Sequence, residues 1–283
     1  MNILTFDIED WYNCDFISGN LEWSSYEVRI YEGVDRGLSP IKKKNIKGTF
    51  FCLGWLAENH PSIIERIHKE GHQVGCHSFQ HQLATEFNAS EFYEDTLKAK
   101  LALESIIGEK VTAFRAPGFS ITKCNKDYLG ILANLGFKYD ASIFPAYHDY
   151  GGMPSYGVSK PKLIDVGNDK YIKEFPINTV NVLGRNLVFS GGGFFRLFPY
   201  SIIKYWANKS GYMMTYFHPR DFDYNQPRLK NLLIERYFKS YIGIKGAFSK
   251  FEKLLANYDF INIEQAEKEI DWTKTEILDL RNL

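Results

Sequence analysis

Predicted strands and helices alternate along almost the whole chain of 283 residues. Short runs rich in apolar, β-branched and aromatic residues predict strands at residues 3–6, 48–54, 73–76, 112–114, 137–141, 163–166, 172–176, 212–217 and 260–263. Amphipathic stretches predict helices at residues 62–70, 90–107, 125–135, 200–209, 229–241 and 247–257, with Ser90 as the N-cap of the second. Such alternation indicates parallel strands joined by helical crossovers. A (β/α) barrel and a doubly wound sheet both satisfy it.

Composition excludes several classes of protein. Hydrophobic residues make up 45% of the chain and charged residues 24%, so intrinsic disorder is excluded and a folded core is expected. Lys and Arg together number 34, as do Asp and Glu, so the chain has no basic surplus for a nucleic-acid partner. No apolar run is long enough to span a bilayer, and the first residues lack a signal-peptide pattern. We therefore expect a cytoplasmic protein without a transmembrane segment.

Ionisable residues stand where the predicted strands end. They are Asp7 and Glu9 at the first strand, then His77, Arg115, Asp140 and His218 at later strands. In parallel α/β folds the active site forms at the carboxyl ends of the strands, so we expect these side chains to converge. Each alone has an ordinary explanation, such as a surface arginine, a structural histidine or a helix cap.

The spacing of two histidines suggests a metal site. His77 and His81 are four residues apart, which places both rings on one face of a helical turn or a helix-like loop. With one carboxylate they would form a site that leaves positions for water and substrate. Strand alternation puts Asp7 and Glu9 on the same side, so one could bind a metal and the other act as a base. Asp10 is a rival ligand or a cap. The alternatives are two structural histidines and a solvated acidic loop.

Two nucleotide-binding patterns are disfavoured. The first strand is followed by D-I-E-D-W at residues 7–11 and not by the G-x-G-x-x-G of a dinucleotide site. The glycines at 191–193 precede Phe-Phe-Arg and not the G-K-[ST] of a phosphate-binding loop. We expect residues 190–193 to form a flexible turn that closely approaches a ligand.

These motifs resemble those of the polysaccharide deacetylases with a NodB-homology domain, carbohydrate esterase family 4. Residues 5–9 (T-F-D-I-E) resemble the family's T-F-D-D-G, residues 77–81 (H-S-F-Q-H) match H-[ST]-x-x-H, and residues 115–117 match R-x-P. Asp140 resembles the aspartate of the fourth motif, and Phe217-His218 resembles the fifth. Ile8 replaces the family's second aspartate, so the metal carboxylate must come from Glu9 or Asp10, and strand alternation favours Glu9.

A narrower resemblance is to the subgroup associated with exosortase and exopolysaccharide loci. It is carried by the segments 6–11, 139–145, 174–176, 191–196 and 218–223, and by residues 226–229, which resemble the start of that subgroup's C-terminal extension. The resemblance implies one domain over residues 1–283, with a barrel core at 1–223 and a helical extension at 224–283 packed on it.

The resemblance implies an α/β fold, an incomplete, distorted (β/α) barrel, and a metal-dependent carbohydrate N-deacetylase. Glu9, His77 and His81 would hold one divalent ion, zinc in the first instance and cobalt or nickel as alternatives, with metal-bound water as the nucleophile. The implied catalytic residues are Asp7 as base, Arg115 to orient it, His218 as acid and Asp140 as the partner of His218. The implied substrate contacts are Trp11, Pro117, Phe119, Gly192 and Arg196.

The resemblance implies an N-acetylated glycan, a lipid-linked oligosaccharide or another precursor as substrate, and envelope-polysaccharide machinery as a partner. Three other functions compete with this hypothesis. The chain could be a non-catalytic component that binds a glycan or a metal, a glycosidase that uses paired carboxylates, or a metal-dependent hydrolase of small cyclic amides.

Overall fold

The computed structural model describes residues 1–13, 23–147, 150–229 and 232–283. Its strands are β1 (Asn2–Ile3), β2 (Thr5–Ile8), β3 (Thr49–Cys52), β4 (Gln73–Cys76), β5 (Ala113–Phe114), β6 (Tyr139–Asp140), β7 (Lys162–Gly167), β8 (Lys170–Glu174), β9 (Val180–Val182), β10 (Arg185–Leu187), β11 (Met213–Met214) and β12 (Ile277–Asp279). Its helices are α1 (Ile30–Lys43), α2 (Gly54–Asn59), α3 (Pro61–Lys69), α4 (Ala89–Ile107), α5 (Tyr128–Asn134), α6 (Gly192–Leu197), α7 (Tyr200–Ser210), α8 (Ile234–Tyr241), α9 (Ile244–Asn257) and α10 (Ile263–Glu269). Among these described helices, none combines the length and apolarity needed to cross a membrane.

The main sheet is built mostly from parallel strands. Within the described residues it has the order β12-β7-β8-β6-β5-β4-β3-β2, in which only β7 and β8 are antiparallel. The segment around β11 lies next to the β2 edge of this sheet. Strand β11 pairs with β1 in parallel, and the Asp7 N–H donates to the Phe217 carbonyl at 2.8 Å. The described strands do not close into a full ring. The prediction of parallel strands in an incomplete, distorted (β/α) barrel is confirmed.

Several local predictions were wrong. The strand expected at 260–263 is a single bridge between Ile261 and Ile3, after which α10 begins. The strand expected at 212–217 is regular only over β11. Helix α1 was not predicted, although its buried residues recur at helical spacing, because Gly33, Gly37 and Pro40 interrupt its sequence. The N-cap of α4 is Asn88 and not Ser90, since the Asn88 side chain accepts the N–H groups of Ser90 and Glu91.

The C-terminal segment contributes to the hydrophobic core. Phe6 of β2 stacks on Phe50 of β3 with ring centroids 4.9 Å apart. Phe251 of α9 packs against both Phe217, at 5.1 Å, and Phe6, at 5.9 Å. Strand β12 extends the main sheet beside β7. A division of the chain at residues 223 and 224 stays a prediction.

Candidate active site and metal centre

The structure brings five of the predicted ionisable side chains to one edge of the sheet. They are Asp7 on β2, Glu9 directly after it, His77 after β4, Arg115 after β5 and His218 in the segment that follows β11. The side-chain exposure of His218 is 20%, whereas that of Asp7 and of Glu9 is 4%. His218 therefore lies at the more accessible side of this cluster.

Glu9, His77 and His81 form a compact group of potential metal ligands. Their ligand atoms all lie within 4.8 Å of one another, and all three residues are buried. Glu9 Oε2 lies 2.6 Å from His81 Nε2. His77 Nδ1 lies 2.7 Å from the carbonyl oxygen of Arg115. Because Nδ1 must donate in that contact, Nε2 of His77 carries the lone pair that a metal needs. Two imidazoles and one carboxylate are a donor set that zinc takes in catalytic sites, so the residues fit the ion.

Electrostatics favours an ionised carboxylate at Glu9 and a neutral imidazole at His77. Burial alone would raise the pKa of the Glu9 carboxyl, but the neighbouring His81, with His218 and His77, holds that pKa well below its usual range. Burial lowers the pKa of His77 to about 4. At neutral pH Glu9 is thus ionised and His77 is neutral, as metal ligation requires.

The loop that carries the two histidines is not helical. Ser78 and His81 both have left-handed backbones, with φ values of +65° and +57°. The Ser78 hydroxyl accepts the His81 N–H at 3.0 Å, and the Phe79 N–H donates to Asp95 at 2.9 Å. These contacts turn the chain back on itself and leave the His77 and His81 rings 5.2 Å apart. The helical turn suggested by their spacing is wrong.

Arg115 fixes the orientation of Asp7. Its Nη1 donates to Asp7 Oδ1 at 2.7 Å, and its Nε donates to the Ala141 carbonyl at 3.1 Å. The arginine is fully buried, with the Phe51 ring 4.3 Å from its guanidinium carbon. The other carboxylate oxygen, Asp7 Oδ2, lies 3.9 Å from His218 Nε2.

Asp10 caps a helix and lies apart from the metal-ligand group. Its Oδ2 accepts the N–H groups of Arg29 at 2.7 Å and Ile30 at 2.9 Å, and its Oδ1 accepts that of Trp11 at 2.7 Å. Burial raises the pKa of Asp10 to about 6, although these hydrogen bonds oppose the rise. Of the two candidate carboxylates, the structure therefore brings Glu9 to the histidines and places Asp10 at the start of α1.

His218 is paired with Asp221. Its Nδ1 lies 3.0 Å from Asp221 Oδ2, which also accepts the His218 N–H at 2.9 Å. Burial alone would lower the pKa of His218, but Asp221, with Glu9 and Asp7, raises it above its ordinary value. His218 Nε2 lies 3.8 Å from Glu9 Oε1. The expected pair with Asp140 is wrong, because a tight turn after His218 folds Asp221 back onto the imidazole. Sequence reasoning missed Asp221, although it lies within the quoted segment 218–223.

Asp140 forms a buried carboxyl pair with Glu174. The two side chains are hydrogen-bonded to each other, and the Ser142 hydroxyl donates to Asp140 at 2.6 Å. That hydroxyl also accepts the Ala116 N–H at 2.8 Å, and Glu174 accepts the Ile143 N–H at 3.2 Å. Burial raises the pKa of both carboxyls, and Asp140 raises that of Glu174 further. The raised pKa values favour a proton shared by the two carboxyls, and the hydrogen bonds of the pair support the loops that follow β5 and β6.

The predicted substrate contacts are largely buried. Trp11 is 4% exposed, and its indole N–H donates to the Glu27 carbonyl at 2.9 Å. Phe119 is 5% exposed and packs edge-on against Tyr216 at 5.3 Å. Pro117 is also buried. Their use as substrate contacts stays a prediction.

The glycine-rich segment approaches a strand and then begins a helix. A Cβ on Gly191 would lie 2.2 Å from the Tyr216 carbonyl oxygen, and Gly192 has a φ of +51°. The flexible turn expected at 190–193 is wrong, because α6 begins at Gly192. Arg196, on the same helix, has its Nε 3.1 Å from Asp221 Oδ1. Contacts of Gly192 and Arg196 with a substrate stay predictions.

Solved structures share this fold. A protein from Mycobacterium smegmatis described as a polysaccharide deacetylase superposes with a TM-score of 0.65 at 18% identity, covering 98% of this chain and 92% of that one. A family 4 carbohydrate esterase pseudoenzyme from Bacillus anthracis gives a TM-score of 0.52 at 15% identity, covering 99% of this chain and 69% of that one. At such identities the likeness concerns the fold alone.

Relatives in sequence match a smaller part of the chain. The peptidoglycan-N-acetylglucosamine deacetylase PgdA of Listeria monocytogenes is 34% identical over 94 residues, which are 33% of this chain and 20% of that protein. The peptidoglycan-N-acetylmuramic acid deacetylase PdaA of Bacillus subtilis is 27% identical over 107 residues, which are 36% of this chain and 41% of that protein. The chain thus spans less than half the length of either relative.

Two family models together account for most of the chain. Residues 141–268 match a domain of unknown function, DUF3473. Residues 4–139, which include Asp7, Glu9, both histidines of the loop and Arg115, match the polysaccharide deacetylase model. Residues 4–139 therefore match a polysaccharide deacetylase domain.

Proposed function

We propose that this protein hydrolyses the N-acetyl group of an amino sugar in a bacterial polysaccharide or its precursor. One observation carries the proposal. His218 Nε2 lies within 3.9 Å of both Asp7 and Glu9, and Glu9 in turn contacts His81. The proposed base, the proposed acid and the candidate metal ligands therefore share one edge of the sheet. The names of the Listeria and Bacillus relatives, which specify deacetylation of peptidoglycan sugars, support the same chemistry.

Glu9, His77 and His81 are the proposed ligands of one divalent cation. Zinc suits two imidazoles and one carboxylate, and cobalt or nickel are the alternatives. When bound, such an ion polarises an amide carbonyl and lowers the pKa of water.

Asp7 is the proposed general base. It accepts a proton from the attacking water as the water oxygen bonds to the carbonyl carbon. Arg115 holds Asp7 Oδ1 at 2.7 Å, which directs the second carboxylate oxygen toward His218. Because Arg115 is fully buried and held by Ala141, this orientation is fixed before substrate arrives.

His218 is the proposed general acid. An amine leaves an amide only when its nitrogen is protonated, so a proton must reach that nitrogen as the C–N bond breaks. His218 Nε2 gives this proton, and the products are acetate and the free amine. Asp221 accepts from Nδ1 and stabilises the imidazolium form before the transfer.

The substrate remains open within one chemical class. An N-acetylated glycan, a lipid-linked oligosaccharide and a nucleotide sugar all carry the same acetamide. Membership of the exosortase-associated subgroup, association with envelope-polysaccharide machinery and a cytoplasmic location stay predictions, which cell fractionation and co-purification test.

Acetate release tests the proposed function. Purified protein loaded with zinc, cobalt or nickel should release acetate from at least one of chitooligosaccharides, peptidoglycan fragments and UDP-N-acetylglucosamine, and a chelator should abolish the release. Cleavage of a glycosidic bond that survives chelation would indicate a glycosidase instead. Ring opening of a cyclic amide without acetate would indicate the third alternative. Glycan binding without turnover, with metal fully loaded, would indicate a non-catalytic protein.

A further inference from the structure

Arg196 is buried against Asp221 and against the end of a helix. The residue is 6% exposed, and its Nε lies 3.1 Å from Asp221 Oδ1. Its Nη1 donates to the Ser240 carbonyl at 2.6 Å, and its Nη2 donates to the Lys239 carbonyl at 2.9 Å. All three nitrogens of the guanidinium thus have protein partners, which is a poor arrangement for a group that binds substrate.

Asp221 connects Arg196 to the proposed acid. It is 2% exposed, so both of its oxygens depend on protein partners. One oxygen faces Arg196, and the other accepts the main-chain N–H and the Nδ1 of His218 at 2.9 and 3.0 Å. A carboxylate whose two oxygens both have partners cannot rotate freely. Asp221 therefore fixes the His218 imidazole with its Nε2 directed toward Asp7.

The C-terminal segment fixes Arg196 in turn. Lys239 and Ser240 lie in the last turn of α8, where carbonyl groups have no partner within the helix and carry partial negative charge. The arginine side chain satisfies two of these carbonyls. The junction between α8 and α9 also packs tightly, because a Cβ on Gly243 would lie 2.1 Å from the Arg196 carbonyl oxygen.

We infer that Arg196 is a positioning residue for deacetylation, which holds Asp221 and through it the His218 imidazole, and that the end of α8 sets the place of Arg196. The inference rests on the proposed role of His218 as the acid. According to this inference, α8 helps to position an active-site residue. Arg196 then has a role other than the substrate contact expected from sequence.

Kinetics with two kinds of substrate tests the inference. Arg196→Met should lower kcat for an N-acetyl substrate by about 10- to 100-fold, the range for residues that orient a functional histidine. KM should stay unchanged, and an activated aryl acetate, whose leaving group needs no proton, should be hydrolysed nearly as well as by wild type. Arg196→Lys keeps the charge without the planar fork and should recover part of the rate. A raised KM with unchanged kcat would make Arg196 a substrate contact and overturn the inference.

Two further comparisons show whether the effect passes through Asp221. The double variant with Arg196→Met and Asp221→Asn should lose no more amide activity than Asp221→Asn alone, since both changes break one chain of contacts. Fully additive losses would overturn the inference.

The matched control is Arg36→Met. Arg36 donates to the Phe222 carbonyl at 2.8 Å in the same turn, so its loss weakens the turn without removing a partner of Asp221. This control should keep the wild-type ratio of amide to ester rates.

A glycine pair tests the part played by α8. Gly243→Ala forces a methyl group toward the Arg196 carbonyl and should lower the ratio of amide to ester rates. Gly211→Ala is the matched control, because Gly211 has a similar φ of +65° and a Cβ there would meet nothing within 4 Å. Equal ratios in the two variants would overturn the assignment of α8.

A spectroscopic measurement separates this inference from the proposed function. In protein labelled with ¹⁵N-histidine, the Nδ1-bound proton of His218 should be slow to exchange, since it lies between His218 and Asp221. The signal, assigned by its loss in His218→Gln, should broaden or vanish in Arg196→Met and persist in Arg36→Met. If wild type releases no acetate but the signal responds in this way, the proposed function fails and the positioning role stands. If wild type is active and the signal is unchanged in Arg196→Met, the inference fails alone.

Discussion

Asp221 lies three residues after His218 and contacts it twice. Its carboxylate accepts the His218 main-chain N–H at 2.9 Å and lies 3.0 Å from the His218 Nδ1. The proposed acid and the carboxylate that stabilises its charged form are therefore parts of one short turn. Asp140, the partner expected from the family motif, instead hydrogen-bonds Glu174. The proposed proton donor is thus assembled locally: Asp221 stabilises its charged form, whereas Asp140 supports neighbouring loops.

Removal of Asp221 should change the pH dependence of the reaction. Because Asp221 raises the pKa of His218 in the folded protein, Asp221→Asn should lower that pKa. The acid must be protonated, so the alkaline limb of the rate profile should move to lower pH. Profiles of kcat/KM for an N-acetyl substrate measure the shift. Asp223→Asn is the control, since Asp223 pairs with Arg29 at 2.8 Å; a limb that moves equally in both variants would contradict the assignment.

Loss of His77 should remove the metal. His77→Ala deletes one of the two imidazoles of the ligand group, so the purified variant should contain no stoichiometric zinc, cobalt or nickel after loading. Elemental analysis measures the content, and circular dichroism verifies the fold. His68→Ala, on the outer helix α3, should bind as much metal as wild type. Full metal content in His77→Ala would show that the site lies elsewhere.

Substitutions of Asp7 and of Glu9 should have different effects on metal content and on kcat. Asp7→Asn should keep the metal and lose about 10²–10⁴-fold in kcat, because the base is gone while the ligands remain. Glu9→Gln should lose metal affinity first, since an amide is a weaker ligand than a carboxylate. Metal stoichiometry and rate are measured on both variants. The reverse result, with metal lost only in Asp7→Asn, would mean that the two roles are exchanged.

Asp7→Asn should also destabilise the fold. Arg115 is fully buried and Asp7 is its carboxylate partner, so the variant leaves a buried cation without a counter-charge. Breaking a buried pair in this way costs about 3–5 kcal/mol. Urea denaturation measures the loss, and Asp35→Asn, which removes an exposed carboxylate of α1, should cost far less.

Glu174→Gln should remove a pH dependence of stability. Burial and Asp140 raise the pKa of Glu174 in the folded state, whereas in the unfolded chain it is near 4.5. At a pH between 4.5 and the raised pKa of the folded state, the folded state binds more protons than the unfolded state. The free energy of unfolding therefore falls as pH rises, by up to about 1.4 kcal/mol per pH unit for one proton. Glutamine is neutral at every pH and can still donate to Asp140.

Urea titrations of wild type and Glu174→Gln between about pH 5 and pH 8, in chelator, measure this difference. The variant should become more stable than wild type toward the alkaline end. Glu58→Gln, an exposed change on α2, should follow the wild-type curve. A parallel curve for Glu174→Gln would mean that the carboxyl pair is already ionised.

Local sequence was sufficient to predict the parallel strands β2 to β6 and the residues at their ends. Apolar runs of strand length, separated by helical stretches, indicated a parallel sheet, and the sheet's own geometry then brought Asp7, His77 and Arg115 to one edge. Strand alternation also favoured Glu9 over Asp10 as the carboxylate near the histidines, which the structure matches. These inferences succeed because side-chain direction in a strand and the position of a strand end follow from short-range periodicity.

Partners made by loops and distant helices could not be obtained in this way. Asp221 pairs with His218 because a turn reverses the chain, and the His77–His81 loop depends on two left-handed residues that no periodicity indicates. The burial of Arg196 depends on carbonyls of α8, which lie 43 and 44 residues further along the chain. A hydrogen-bond partner is selected by how separate elements pack, and that packing is a property of the whole fold.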